Sequence, residues 1–355
     1  MEIYEINVEK MTDIISKSYI KLVENKIPFK TFPSVMLWGA PGVGKSQGVR
    51  EIAKKIQDKT NKKVVITDVR LLLFNPVDLR GIPTSNSDKT LAVWLKPKIF
   101  QMDEDDSVIN ILFLDEISAA PPSVQAAAYQ ITLDRTVGEH SLPDNCIVIA
   151  AGNRMTDKSV AYNMPKALAN RLCHFEIKVD VDSWHNWAVR ESVHEYVTGF
   201  VEYNPGLLMK FDPSGTSLAF PTPRSWEMVS NILNNVSANV SEVFPLIMGC
   251  IGYSAATFFK SWVEIYDTLP PVNDIFEGNC YETPMVAEQL IALRSRMVAY
   301  ARKHPVKDLI DNSVEYACRL PWLFRGKLLH DYYYIPKVRP IISENDVFKT
   351  ALKEN

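Results

Sequence analysis

Gly39, Ala40, Pro41, Gly42, Val43, Gly44, Lys45 and Ser46 follow one another in the order G-x-x-x-x-G-K-S. Glycines at these places let backbone N–H groups converge on phosphate oxygens, at the start of a helix whose dipole favours an anion. In such a loop Lys45 reaches the β- and γ-phosphates and the Ser46 hydroxyl binds Mg²⁺. About 70 residues further on, Ile111-Leu-Phe-Leu-Asp115-Glu116 puts two acids behind four apolar residues. Acids at the C-terminal end of a buried strand stand where sites form in α/β sheets. Asp115 is expected to hold Mg²⁺ directly or through water, and Glu116 to orient and deprotonate an attacking water. An apolar run ending in Asp-Glu is weak on its own. Behind a complete phosphate loop it predicts hydrolysis of a nucleotide bound with Mg²⁺.

The elements that must carry these residues can be read from apolar runs. Val8 to about Lys26 has the spacing of an amphipathic helix. Val35-Met-Leu-Trp38 is a short apolar run before the glycine-rich turn, and Val49, Ile52, Ala53 and Ile56 recur behind it at helical spacing. Val64-Val-Ile66, Ile111-Leu-Phe-Leu114 and Ile147-Val-Ile-Ala-Ala151 read as further buried parallel strands. Phe175, Ile177 and Val179 alternate with His174, Glu176 and Lys178, as in a strand with one face buried. Strands interleaved with helices predict a mostly parallel sheet covered on both faces. Pro, Gly and Ser cluster between Asn204 and Pro223, and beyond Arg224 only helical patterns follow.

In this order the motifs resemble an AAA+ ATPase, with Ala150-Ala-Gly-Asn153 closing the strand after Leu-Asp-Glu. The resemblance implies that Asn153 is the sensor-1 residue, which positions the lytic water. An Asn ending a strand in an Asx turn is the plainer alternative. Arg171, in Ala167-Leu-Ala-Asn-Arg171, stands where the family carries an arginine finger that acts on the neighbouring subunit's nucleotide. Such a finger is worth on the order of 10³–10⁵ in rate; a surface Arg in a helical turn is the alternative.

Within AAA+ proteins the chain is most similar to the MoxR branch. Asn75-Pro-Val-Asp-Leu-Arg-Gly81 resembles its Asp-Leu-x-Gly element, and Thr84 to Trp94 reads as a hairpin where the branch carries an insertion. Thr136-Val-Gly-Glu-His-Ser-Leu142 reads as a second hairpin, although two ordinary surface hairpins fit the same pattern. Pro221-Thr-Pro-Arg224-Ser-Trp226 resembles a sensor-2 helix start, with Arg224 directed at the phosphates of its own or a neighbour's nucleotide. Ala-Asn-Arg-Leu-Cys-His174 departs from the branch's Asp-Arg-Phe but keeps Arg171.

The fold implied is an α/β AAA+ P-loop NTPase core with a mostly parallel five-stranded sheet, followed by an all-helical lid. Its divisions fall at residues 1–30 for an N-terminal helix, 31–205 for the core, 206–223 for a linker and 224–355 for the lid. The function implied is that of a hexameric Mg²⁺-ATPase ring that remodels or activates a protein partner, with a von Willebrand factor A-domain protein as first candidate. Two other readings compete: a nucleic-acid motor related to the restriction GTPases that share the insertion, and an assembly subunit ordered by ATP.

Composition weighs on those choices. The 355 residues carry a net charge of −3, which argues mildly against nucleic acid as the main partner. Thr84 to Trp94 holds only one basic residue, Lys89. Intact Glu116, Asn153 and Arg171 speak against a purely structural use of ATP. Cys146, Cys173, Cys250, Cys280 and Cys318 are scattered, and the opening residues lack a basic segment followed by an apolar run. Reduced thiols and a cytoplasmic location are the expectation. Val243 to Phe259 is uncharged, but it is shorter than the ~20 residues of a spanning helix and contains Pro245, Gly249 and Gly252. It reads as a buried helix.

Overall fold

The computed structural model describes residues 3–157, 162 and 164–353. Packing divides them into two compact units, Met1–Lys178 with Asp212–Gly215 and Val179–Phe211 with Thr216–Asn355.

The first unit opens with strand β1 (Tyr4–Ile6) and helix α1 (Val8–Glu24). Asn7 starts α1 by accepting the Lys10 N–H at 2.8 Å, and Met11, Ile15 and Tyr19 make its buried stripe. Strand β2 (Ser34–Trp38) leads into α2 (Lys45–Thr60), which packs against α1. Gly48 permits that contact, since a Cβ there would lie 2.6 Å from Met11 Cε. Strand β3 (Lys63–Arg70) is followed by α3 (Pro76–Arg80) and the hairpin of β4 (Ile82–Ser85) and β5 (Ala92–Leu95). Strand β6 (Val108–Asp115) and α4 (Pro122–Leu133) precede a second hairpin, β7 (Thr136–Val137) and β8 (His140–Ser141). Both hairpins stand where the motifs predict them. His140 Nε2 lies 2.8 Å from the Trp94 carbonyl, so the two touch. Strand β9 (Cys146–Gly152), the short α5 (Lys166–Ala169) and β10 (Leu172–Ile177) complete the unit.

The expected five strands are all present, and the sheet has a sixth. Its order is β1-β10-β2-β9-β6-β3, parallel throughout. β1 pairs Tyr4 to Phe175 and Ile6 to Ile177, so β10 is an inner strand, between β1 and β2. Its residues Cys173 to Glu176 are all half-buried, so the expected contrast between a buried and an open face is weak. β6 and β9 form the dry middle of the sheet, and every residue from Val108 to Leu114 is buried.

The second unit is helical among its described residues. It contains α6 (Val181–Arg190), α7 (Glu195–Tyr203), α8 (Pro223–Asn235), α9 (Val240–Ile251), α10 (Tyr253–Val263), α11 (Val272–Phe276), α12 (Ala287–Lys303), α13 (Lys307–Ala317) and α14 (Trp322–Tyr334), followed by two shorter helices. Phe200 stands 5.3 Å from both Trp226 and Phe259, ring centre to ring centre. This aromatic packing ties α7 to the helical unit, and Trp184, Ala188 and Val189 of α6 share the same buried core, although both helices precede the Pro/Gly/Ser-rich stretch. The uncharged run from Val243 is split between α9 and α10 at Gly252 (φ 81°). Among the described residues no helix is long and apolar enough to cross a membrane.

Candidate nucleotide site

Lys45, Ser46, Asp115 and Asn153 are joined by hydrogen bonds where β2, β6 and β9 end, and Glu116 follows Asp115 directly. After Trp38 the chain turns through Gly42 (φ 80°) and Gly44 (φ 101°), left-handed conformations in which any side chain is strained. Gly44 is the N-cap of α2, so the turn hands the chain directly to a helix N-terminus. Gly39 sits against β10, where a Cβ would lie 3.0 Å from the Ile177 carbonyl. Ala40 and Val43 are buried beneath the turn, and Pro41 is half-buried.

Lys45 begins α2 with its side chain buried. Its ammonium donates to the Gly39 carbonyl at 2.7 Å, the Ala40 carbonyl at 3.1 Å and Asn153 Oδ1 at 2.9 Å. The Ser46 hydroxyl donates to Asp115 Oδ2 at 3.2 Å. Asp115 Oδ1 accepts the Glu116 N–H at 2.9 Å, and Glu116 itself is left-handed (φ 57°). That conformation costs a non-glycine residue on the order of 1–3 kcal/mol and is typical of functional turns. The turn is held by its own contacts, since Ile117 N donates to the Ala151 carbonyl at 3.0 Å. A cationic group, a hydroxyl, a carboxylate and an amide oxygen therefore meet at the mouth of one helix, with Glu116 next in the chain to Asp115.

Residues 34–174 match the model of the ATPase family associated with various cellular activities (AAA). They form an AAA ATPase domain. Lys45, Ser46, Asp115 and Glu116 all lie inside the matched segment. The uncharacterized protein ycf45 of Porphyra purpurea is 23% identical over 193 residues, 50% of this chain and 34% of that protein. The chain thus spans about a third of that relative's length. Looser likenesses in fold are found with C. elegans PCH-2 (TM-score 0.38, 14% identity, 74% of this chain and 69% of that one). A second is NtrX from Brucella abortus in complex with ATP (TM-score 0.37, 13% identity, 100% and 69%). A third is a RuvB variant from Thermotoga maritima (TM-score 0.35, 12% identity, 99% and 89%).

In the ATPase domain the Ser46 hydroxyl and the Asp115 carboxylate suit Mg²⁺, a hard cation that takes oxygen ligands. Among the described residues no group of three or more His, Cys, Asp or Glu side chains could hold a metal. Two protein oxygens match an ion that draws most of its ligands from phosphate and water. A third carboxylate, Asp68 on β3, escaped the motif reading. Burial and the charge of Asp115 push it above the usual carboxylate range, opposed by Arg70 and Arg50.

The remaining predicted residues, Arg171 and Arg224, belong to other elements. Arg171 lies in the turn between α5 and β10, exposed and without an ion pair to any described residue. Arg224 lies in the first turn of α8, also exposed, beside a capping box in which Thr222 Oγ1 accepts the Ser225 N–H at 3.0 Å.

Two contributors had no motif to reveal them. Ser118 is buried, and its hydroxyl accepts the Asn153 N–H at 3.0 Å, fixing the residue that touches Lys45. Gly152 makes room for it, because a Cβ there would lie 2.7 Å from Ser118 Oγ. Arg154, next to Asn153, is paired with Asp157 at 2.9 Å and with Glu176 on β10. Its guanidinium anchors the loop after β9 to the sheet.

Proposed function

We propose that the chain is one subunit of a Mg²⁺-dependent AAA+ ring, hexameric and MoxR-like, that uses ATP to remodel or activate a protein partner. The observation that carries this reading is Arg171, an exposed guanidinium on the ATPase domain with no carboxylate partner among the described residues. A finger for a neighbour's γ-phosphate has to be free in this way. Within one site, Lys45 meets phosphate charge, Ser46 and Asp115 hold Mg²⁺, Asn153 positions water and Glu116 takes its proton. Bound Mg²⁺ supplies charge neutralisation at the phosphates. The helical unit acts as the lid, with Arg224 as its phosphate-facing residue, and a von Willebrand factor A-domain protein is the first candidate partner.

The Glu116→Gln protein tests this reading, because a subunit that binds ATP and cannot hydrolyse it should keep both its assembly and its client. In ATP and Mg²⁺ it should sediment as a closed oligomer and co-purify with a protein that the wild type releases. A chain that remains monomeric with ATP and Mg²⁺ yet hydrolyses at full rate overturns the ring.

A further inference from the structure

His174 joins the turn of Arg171 to the strand that leads into the phosphate loop. The Trp38 indole N–H donates to His174 Nδ1 at 2.9 Å, and His174 Nε2 lies 2.7 Å from the Ala169 carbonyl. An indole N–H can only donate and a carbonyl can only accept, so Nδ1 is bare and Nε2 carries the proton. Both ring nitrogens are therefore committed, and the neutral tautomer is fixed. The two rings are stacked, with centres 6.2 Å apart and planes 17° apart. Trp38 directly precedes Gly39, while Ala169 stands two residues before Arg171 at the end of the four-residue α5.

A helix of one turn has little stability of its own. Within it, the Ala169 and Asn170 N–H groups donate to Pro165 and Lys166, and the Arg171 N–H to the Leu168 carbonyl. The Ala169 carbonyl instead is taken by His174.

We propose that His174 is a positioning residue for Arg171, clamping the turn that presents the arginine onto Trp38 so that the guanidinium projects at a fixed height from β10. This rests on the reading of Arg171 as a finger that acts on a neighbouring subunit. Misplacement of a catalytic group by about 1 Å can cost on the order of 10²-fold in rate, so a lost clamp should register in turnover rather than in binding.

His174→Phe keeps the ring and removes both hydrogen bonds; His174→Gln keeps a donor and an acceptor. The Phe variant should lose on the order of 10–100-fold in kcat, with the Kd of its own pocket for a fluorescent ATP analogue within about twofold of wild type. The Gln variant should recover most of the loss. The deciding measurement mixes His174→Phe subunits with Lys45→Ala subunits in rings shown to exchange. The first contribute intact pockets and displaced fingers, the second dead pockets and intact fingers, so the mixture should hydrolyse ATP faster than either parent.

No recovery means that His174 serves its own pocket through Trp38, and the proposal is overturned. A mixture of Arg171→Ala with Lys45→Ala, run in parallel, separates the two ideas. If it recovers and the His174→Phe mixture does not, the finger stands and the clamp falls. If Arg171→Ala alone keeps full turnover, the finger reading fails and takes the clamp with it. Should His174→Phe not fold, Trp38→Phe removes one of the two bonds, and its smaller loss should be absent in an Arg171→Ala background. A loss that persists there contradicts the clamp.

Discussion

On the proposed reading Lys45 and Glu116 have separable tasks, because one would meet charge that is present in bound ATP and the other would act only on water during reaction. Lys45→Ala should therefore lose binding of a fluorescent ATP analogue. Glu116→Gln should bind within about threefold of wild type and release phosphate on the order of 10²–10⁴ times more slowly, the usual range for a lost general base. Wild-type phosphate release from Glu116→Gln would remove this residue from the mechanism. Ser118→Ala leaves the Asn153 N–H without its partner, which costs about 1–3 kcal/mol of stability. It should also lower kcat by about tenfold, the equivalent of roughly 1.4 kcal/mol in the barrier, with KM for ATP nearly unchanged. A change in KM alone would place Ser118 in ATP binding. Lys45, Ser46, Asp115 and Glu116 were legible in the sequence because phosphate chemistry demands those types in a fixed order. Ser118, Arg154 and His174 were not, since each acts through a partner tens of residues away that no local spacing announces.

At the scale of elements, α7 carries a pH dependence. His194 caps it by accepting the Tyr196 N–H at 3.2 Å, and burial, aided by the charge of Lys303, pushes its pKa down to about 4. The unfolded value is about 6.5. The neutral imidazole therefore stabilises the fold fully above pH ~6.5, and this contribution is lost as pH falls toward 4, by up to about 3 kcal/mol. Urea unfolding between pH 7 and 5 should show a slope that His194→Asn, which keeps a capping acceptor, largely removes. An unchanged slope would mean that the ring takes up its proton without leaving its site.

Deeper in the same unit, Asp331 on α14 faces His185 of α6 at 3.1 Å and Arg294 of α12 at 3.2 Å. Burial alone would raise its pKa, but Arg294 and His185 outweigh it and hold the carboxyl well below the usual range. Asp331→Asn leaves the buried Arg294 facing Glu202 alone, and should destabilise the helical unit by about 3–5 kcal/mol as read from its unfolding midpoint. The long strands and amphipathic helices here were readable from periodicity. β1 was not: three residues are too few to show alternation, and only its pairing to β10 makes it a strand.

The whole molecule joins an ATPase domain whose phosphate-binding residues follow motifs to a helical unit whose sequence holds little beyond its apolar spacing. That asymmetry explains what could be read. Phosphate binding constrains residue identity, whereas helix packing accepts many apolar combinations, so the placement of α6 and α7 emerged only from the buried core that Trp184 and Phe200 share with Trp226 and Phe259. The central claim is that sites are shared between subunits, each pocket built on Lys45 and completed by a neighbour's Arg171. Its most direct test is ATP turnover in a mixture of Arg171→Ala and Lys45→Ala subunits, compared with each parent at equal total protein. Each variant alone lacks any complete site, while mixed rings form interfaces that pair an intact pocket with an intact finger. Turnover in the mixture should exceed that of both parents and follow the proportion of mixed interfaces. Rings that demonstrably mix, stay assembled and show no recovery would contradict the account.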